Sequence, residues 1–286
     1  TTGSNNTALG HNAGYAITTA NRLTAIGSAA LDANTTGDYN TAVGNEALGA
    51  NTTASYNNAF GYGSLDANTT GDSNAAMGHN SLGANTTGSA NCAFGYSALD
   101  ANTTASNSTA IGYGALSTST TSGDNTALGY RAGGENHSIR LVAIGHDAGL
   151  NNNAWPNTFI GYNSGGDSSD ITGDGNTAIG YDTLKNVTTG DKNTALGYIS
   201  LEDNTTGSYN IAVGADALKN NTTASYNVAI GVDALAANTT GYKHVAVGYA
   251  ALGSNTTGPE CTAIGYQTLG SNTTGAANDA HGYDAL

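Results

Sequence analysis

Ten Asn-Thr-Thr triplets are the chemically most suggestive groups in the chain, beginning at Asn34, Asn51, Asn68, Asn85, Asn102, Asn204, Asn221, Asn238, Asn255 and Asn272. Each satisfies the Asn-x-Thr acceptor pattern of N-linked glycosylation. The same residues also turn corners, because Asn tolerates left-handed backbone and bonds its own main chain. The corner role is the simpler reading and glycosylation the chemical one, with O-linked sugars on the Thr pairs a third. Regular threonine rows also raise ice binding. Adjacent residues of a strand point to opposite faces, so a Thr-Thr pair splits its hydroxyls, and ice binding stands as a distant alternative.

Other candidates carry less. The Gly-Asp pairs at Asp38, Asp72, Asp174 and Asp191 suggest calcium, but the nine-residue Gly-Gly-x-Gly-x-Asp repeat of calcium β-rolls is absent, so Asp satisfying corner amides is the simpler expectation. His11, His79 and His146 recur four coils apart, about 19 Å at one strand spacing per coil, too far to share a metal. No Ser-His-Asp set, carboxylate pair in a cleft or phosphate loop can be placed, so the chain reads as no enzyme, with no cofactor and no metal. The sole tryptophan, Trp155, sits in an irregular stretch and is the residue expected to contact a partner, a gap-filling role being the alternative.

What must position these groups is a repeat. Glycines recur every seventeen residues from Gly10 to Gly282, and only the spacings across 129–180 (16, 16 and 19) break the period. Position 0 denotes this glycine. Position −1 is large and apolar in all copies but His281, −2 is Ala in all but Phe159, and +4 is Leu except at Gly14, Gly133, Gly149 and Gly165. Tyr is frequent at +1. A unit this short cannot bury its apolar face alone and must stack on its neighbours.

The expected coil has two short strands and two corners, since four or five residues between Gly and Asn are too few to nucleate a helix. The fold class is therefore all-β, a parallel β-solenoid or β-roll of 17 coils of about 17 residues, roughly 80 Å long. One array occupies 1–286, irregular at 130–176. Both strand faces are expected to be packed, with Ile and Leu ladders forming the core. One Ile and one Leu per coil make a thin core, so lateral association of several chains is expected to bury a second layer.

Composition fits. With 7 Lys and Arg against 21 Asp and Glu, the net charge of −14 excludes nucleic acid as a partner. The acidity keeps repeat arrays soluble, with cation binding the alternative. No apolar run is long enough to enter a membrane as a helix. Cys92 and Cys261 lie ten coils apart and cannot pair within one chain.

The run Asn176-Thr177-Ala178-Ile179-Gly180-Tyr181-Asp182-Thr183-Leu184 resembles the head repeats of trimeric autotransporter adhesins, and more closely the Asn-Thr-Thr-Gly-linked repeats of bacterial and phage tail-fibre-like surface proteins. The resemblance spans the whole chain. It implies a left-handed parallel β-roll with three chains trimerising along their length. The chain departs from it in its longer period, and shows neither an autotransporter's membrane anchor nor a tail fibre's self-cleaving chaperone segment.

From Leu286 to Thr1 of another copy the period would skip only three residues, which suggests end-to-end stacking. The expected function is thus a structural subunit of an extracellular fibre or filament, at a cell or virion surface. Its partner is itself, end to end and as a trimer. The alternative is an adhesin or receptor-binding shaft whose irregular middle coils contact surface glycans.

Overall fold

A computed structural model describes residues 2–166 and 170–286, so Thr1 and Asp167 lie outside the described residues. The chain forms two compact units, Thr1–Arg140 and Leu141–Leu286. The described residues are all-β. Eight three-residue strands run from β1 (Thr7–Leu9) to β8 (Thr126–Leu128) in the first unit. Nine run from β9 (Val142–Ile144) to β17 (Asp279–His281) in the second.

Within each unit every strand pairs in parallel with the next, one repeat on. Thr24, Ala25 and Ile26 face Thr41, Ala42 and Val43, and Val228, Ala229 and Ile230 face Val245, Ala246 and Val247. Identical positions therefore stack into columns, the arrangement of a parallel β-solenoid.

The repeat glycine fixes how closely coils approach. Gly95 has φ 142°, and a Cβ there would sit 2.3 Å from the carbonyl oxygen of Gly112 in the next coil. Gly27, Gly44, Gly231 and Gly248 show the same approach at 2.3, 2.3, 2.3 and 2.2 Å. No side chain fits between the stacked main chains at this position, so both reasons for glycine, backbone angle and contact, hold together.

Each coil has one strand, not the two expected. After the glycine the chain makes successive tight turns: in one coil Ala47 N–H donates to Gly44 O (3.5 Å), Gly49 N–H to Glu46 O (3.2 Å) and Asn51 N–H to Leu48 O (3.2 Å). The third residues of the first two turns, Glu46 and Leu48, have φ 58° and 51°, as type II turns require. Leucine in this conformation costs about 1–2 kcal/mol. Complete burial of its side chain returns about 1.5–3 kcal/mol, so the column persists. Leu48 N–H also donates to Ser64 O in the next coil at 3.0 Å.

The packing is the reverse of the expectation at −1. Ala at −2 points inward and is buried, while the large residue at −1 points outward and is half exposed, Met77 at 50%. The narrow coil has room for only a methyl opposite the Leu column. Phe159 tests the rule. It is the one bulky residue at −2, it is fully buried, and it is accommodated because Gly149 and Gly165 stand where Leu stands elsewhere. A Cβ at Gly149 or Gly165 would lie 2.8 or 2.5 Å from the Phe159 ring.

Gly95→Ala should lower the unfolding free energy by about 1–3 kcal/mol from its backbone conformation alone, and by more once the contact with Gly112 is counted. Gly83→Ala, whose Cβ would first meet the Asp100 side-chain oxygen at 3.0 Å, should cost far less. Urea denaturation of the two variants compares them, and equal losses would remove the close-approach explanation.

Candidate functional site

The polar residues singled out in the sequence form columns inside the coils. At +7, Asn51 Nδ2 donates to Asn34 Oδ1 of the preceding coil (2.7 Å) and to Ala54 O of its own coil (3.0 Å). The same relay links Asn34, Asn51, Asn68, Asn85 and Asn102 in the first unit. It links Asn204, Asn221, Asn238, Asn255 and Asn272 in the second. All but Asn272 are fully buried, and Asn272, half-buried, keeps both bonds.

A sugar on any of these amide nitrogens would have to displace a bond inside the stack. Glycosylation at the ten sequons is therefore closed in the folded coil, where the residues act as donors in a ladder. The hydroxyl of the first Thr is also committed, since Thr35 Oγ1 donates to Thr52 O at 3.0 Å. The second, Thr36, is exposed, so the pair leaves one free threonine column where a threonine grid would need two.

A second amide ladder escaped the sequence reading. At −4, Asn57 N–H donates to Asn40 Oδ1 (2.9 Å), while Asn40 Nδ2 donates to Ala54 O (2.7 Å), the carbonyl that also receives Asn51. Its signal was the Asn that precedes most of the Thr-Ala strands. The Gly-Asp residues do satisfy corner amides: Asp72 Oδ1 accepts from Ser55 N–H, and Asp191 Oδ1 from Asp174 N–H at 2.8 Å. No group of three metal-ligating side chains occurs among the described residues. Burial, and then the charges of Glu46 and Asp32, raise the pKa of Asp66, as an unneutralised carboxylate groove would.

His79 lies between Tyr62 and Tyr96, ring centroids 5.1 and 5.0 Å away, in an aromatic column at +1 that continues to Tyr113 and Tyr130. His146 stacks on Tyr162 in the second unit, where Tyr162, Tyr181 and Tyr198 follow in turn. Trp155 is 53% exposed, its main-chain N–H donating to Asp174 Oδ1 at 2.9 Å. The cysteines are free. No helix among the described residues is long and apolar enough to cross a membrane.

No protein-family model matches the chain, and no curated protein sequence matches it. What the molecule presents must be read from its own surface.

That surface is apolar in columns. Outside each strand, −1 carries Phe60, Met77 and Phe94 in the first unit and Ile179, Leu196, Ile230 and Ile264 in the second, all exposed. Tyrosines at +1 run alongside. In β13 (Ile211–Val213), β14 (Val228–Ile230) and β15 (Val245–Val247), −3 is apolar as well, so both outward positions of three adjacent strands are aliphatic. These outward side chains are exposed or half-buried.

Two consequences of the ladders can be measured. The +7 column is interrupted at Ser119, whose hydroxyl turns to Ser122 O and leaves Asn102 Oδ1 without a partner. Ser119→Asn should fill the gap and raise stability by about 0.5–1.5 kcal/mol in urea denaturation. A loss would show that the side chain cannot enter the column.

His244 takes the place of Asn at −4: its Nδ1 accepts from Cys261 N–H at 3.1 Å, and its other ring nitrogen bonds the Gly258 carbonyl. Burial lowers its pKa below the ordinary histidine value, outweighing those backbone bonds. Above about pH 6.5 the imidazole is neutral both folded and unfolded. Below that, the unfolded chain takes up the proton that the buried ring resists, so stability falls with pH. His244→Asn should remove this acid loss, seen as a flatter dependence of the melting temperature between about pH 6.5 and 5 than in the parent.

Proposed function

We propose that the chain is a structural subunit of an extracellular surface fibre, its coils associating laterally with other copies and joining end to end. The observation that carries this reading is the inversion of burial at the strands: a methyl faces inward and the large aliphatic residue faces out. A soluble monomer gains nothing from Ile211, Val213, Val228, Ile230, Val245 and Val247 on one outer face, whereas copies packed along the column bury them. At about 25 cal/mol per Å² of apolar area, a face repeated coil after coil accumulates a large association energy from a small contribution per coil.

Other features support a mechanical role. The coils are bonded to each other through backbone, amide and aromatic columns at once, so bending a unit strains several ladders together. An exterior with a net charge of −14 limits unspecific clumping while leaving the aliphatic face to direct association. The resemblance to tail-fibre-like and adhesin-head repeats points to the same class, with a trimer as the form it implies.

A second reading rests on Trp155. An exposed indole beside a loop suits an adhesin that contacts surface glycans through its irregular coils. Loss of glycan-array binding in Trp155→Ala, with association intact, would favour it. Ice binding would draw on the exposed second threonine of each pair, and a thermal hysteresis measurement addresses it.

The double substitution Val228→Lys and Ile230→Lys places two charges on the outer face of β14 without touching the inward Ala229. Sedimentation and electron microscopy should show assemblies for the parent and a shift to single chains for the variant, with the circular dichroism spectrum unchanged. Assemblies that survive the two lysines would remove this face from the interface, and a parent that stays monomeric would overturn the fibre reading.

A further inference from the structure

We propose that a groove between Tyr226 and Tyr242 is a binding subsite for a neutral pyranose sugar. It lies in the second unit, apart from Trp155 and from the aliphatic strand face, and does not rest on the fibre reading.

Within a run of the +1 column a ring is stacked on both sides: His79, for example, has Tyr62 on one face and Tyr96 on the other, whereas Tyr198 and Tyr249 end their runs with one face stacked. Rings stacked on both sides offer only edges. Tyr226 belongs to a different column, at +12, and stacks on Tyr209 through one face only, with centroids 5.1 Å apart and planes within 5°. In the next coil this column continues with Lys243. Its ammonium is held elsewhere, 3.3 Å from Glu260 Oε1 and 5.5 Å from the centre of the Tyr242 ring. The second face of Tyr226 therefore has no ring stacked on it, and the residue is 57% exposed.

Tyr242 makes an open face into a groove. Its position, +11, is Ser or Asp in most coils, including Ser208, Ser225, Asp72 and Asp191. An aromatic ring there raises a second wall. Together with Thr223, Thr240 and Lys243 the two tyrosines line a groove of about 290 Å³. That is at the small end of ligand sites, about 300–1,000 Å³, and suits one or two sugar rings.

The chemistry of the walls selects the ligand. An aromatic face is electron-rich, and the C–H face of a pyranose presents weakly positive hydrogens that stack on it. The Thr223 and Thr240 hydroxyls at the rim suit the sugar's own hydroxyls, donating or accepting as needed. Lys243 is neutralised by Glu260, and the chain carries −14 overall, so an acidic sugar gains nothing here. Tyr56 provides the comparison. It stacks on Tyr39 and ends its own column in the same way, but the following coil offers Asp72 and Ser73 and no second aromatic wall.

The test is calorimetric titration of the full chain with soluble neutral hexaoses of glucose, mannose and N-acetylglucosamine, with sialyllactose as the acidic comparator. At least one neutral hexaose should bind in the millimolar range, and Tyr226→Ser and Tyr242→Ser should each weaken it about tenfold or more, as loss of a stacking wall does. Tyr56→Ser and Trp155→Ala should leave it unchanged. Serine already occupies both columns, at Ser73 and Ser225, so these variants keep the fold. The proposal is overturned if no neutral hexaose binds at roughly 10 mM. It is equally overturned if sialyllactose binds better, if binding survives both tyrosine changes, or if Trp155→Ala abolishes it. Association, read separately by sedimentation, does not enter these outcomes.

Discussion

Everything in these coils depends on the distance of closest approach at the repeat glycine. The carbonyl oxygen of one glycine occupies the space where a Cβ of the glycine before it would be, so neighbouring main chains meet with nothing between them. That contact fixes the stacking distance at one strand spacing. It also holds the register, because a shift of a single residue would bring a side chain into the same gap. With register fixed, each sequence position becomes a column, and the chemistry of the protein is the chemistry of columns. Some are conformationally improbable elsewhere yet stable here: a leucine at φ near 50° recurs through both units because the column it joins is buried and its N–H is bonded to the next coil.

A coil of seventeen residues encloses little volume, and this decides what can lie inside. One leucine, two or three methyls and two asparagines nearly fill it. Burying an unbonded amide would cost several kcal/mol by the least forgiving measures, so asparagine is stable here where its oxygen and nitrogen are both engaged, and Asn102, its oxygen unpartnered next to Ser119, is an exception. Stacking supplies the partners. Asn40 and Asn51 both donate to Ala54 O while Asn57 N–H donates to Asn40 Oδ1, and the arrangement recurs with the period. The amides thus do in this narrow core what a larger apolar core does in a globular domain, and they add directionality: a ladder of amides is satisfied in one register only. Substitutions within a ladder follow the same logic. His244 is tolerated because its two nitrogens reproduce an accepting and a donating atom at the asparagine positions.

The sequence disclosed the period and the parallel stacking, because these follow from spacing. It also marked Phe159, Gly149 and Gly165 as exceptions, although only the packing shows them to be one compensating set. Three features were not legible. Leucine has no preference for left-handed backbone, so the turns it makes looked like a second strand. An apolar residue at −1 is read as core by any hydrophobicity rule; that it faces outward depends on the coil being too narrow for it. The Asn-Thr-Thr triplet is a glycan acceptor by pattern, and a pattern holds no information about burial. What separates the two roles is phase: the asparagines at −4 and +7 share the inward side with the alanine at −2, which becomes evident only once the direction of each column is known.

The proposed assembly rests on the combination of an interior rich in amides with aliphatic side chains displayed outside. Ordinary domains keep aliphatic side chains inside, where they gain most, and there is no steric reason for the outer strand positions of β13 to β15 to be aliphatic in place of threonine, which occupies the −3 column in most other coils. Solubility favours threonine there, as does β-propensity, which threonine shares with valine and isoleucine. A gain on the outside is what remains, and the only large gain open to an aliphatic column is removal from water by another surface of matching repeat. A second copy has that repeat by construction. Beside β13 and β14 the aromatic +1 column gives way to Ala215 and Val232, which widens the aliphatic face. Narrowness of the coil thus accounts for the polar core and the apolar face together: what cannot fit inside is displayed outside, where a neighbouring chain can bury it.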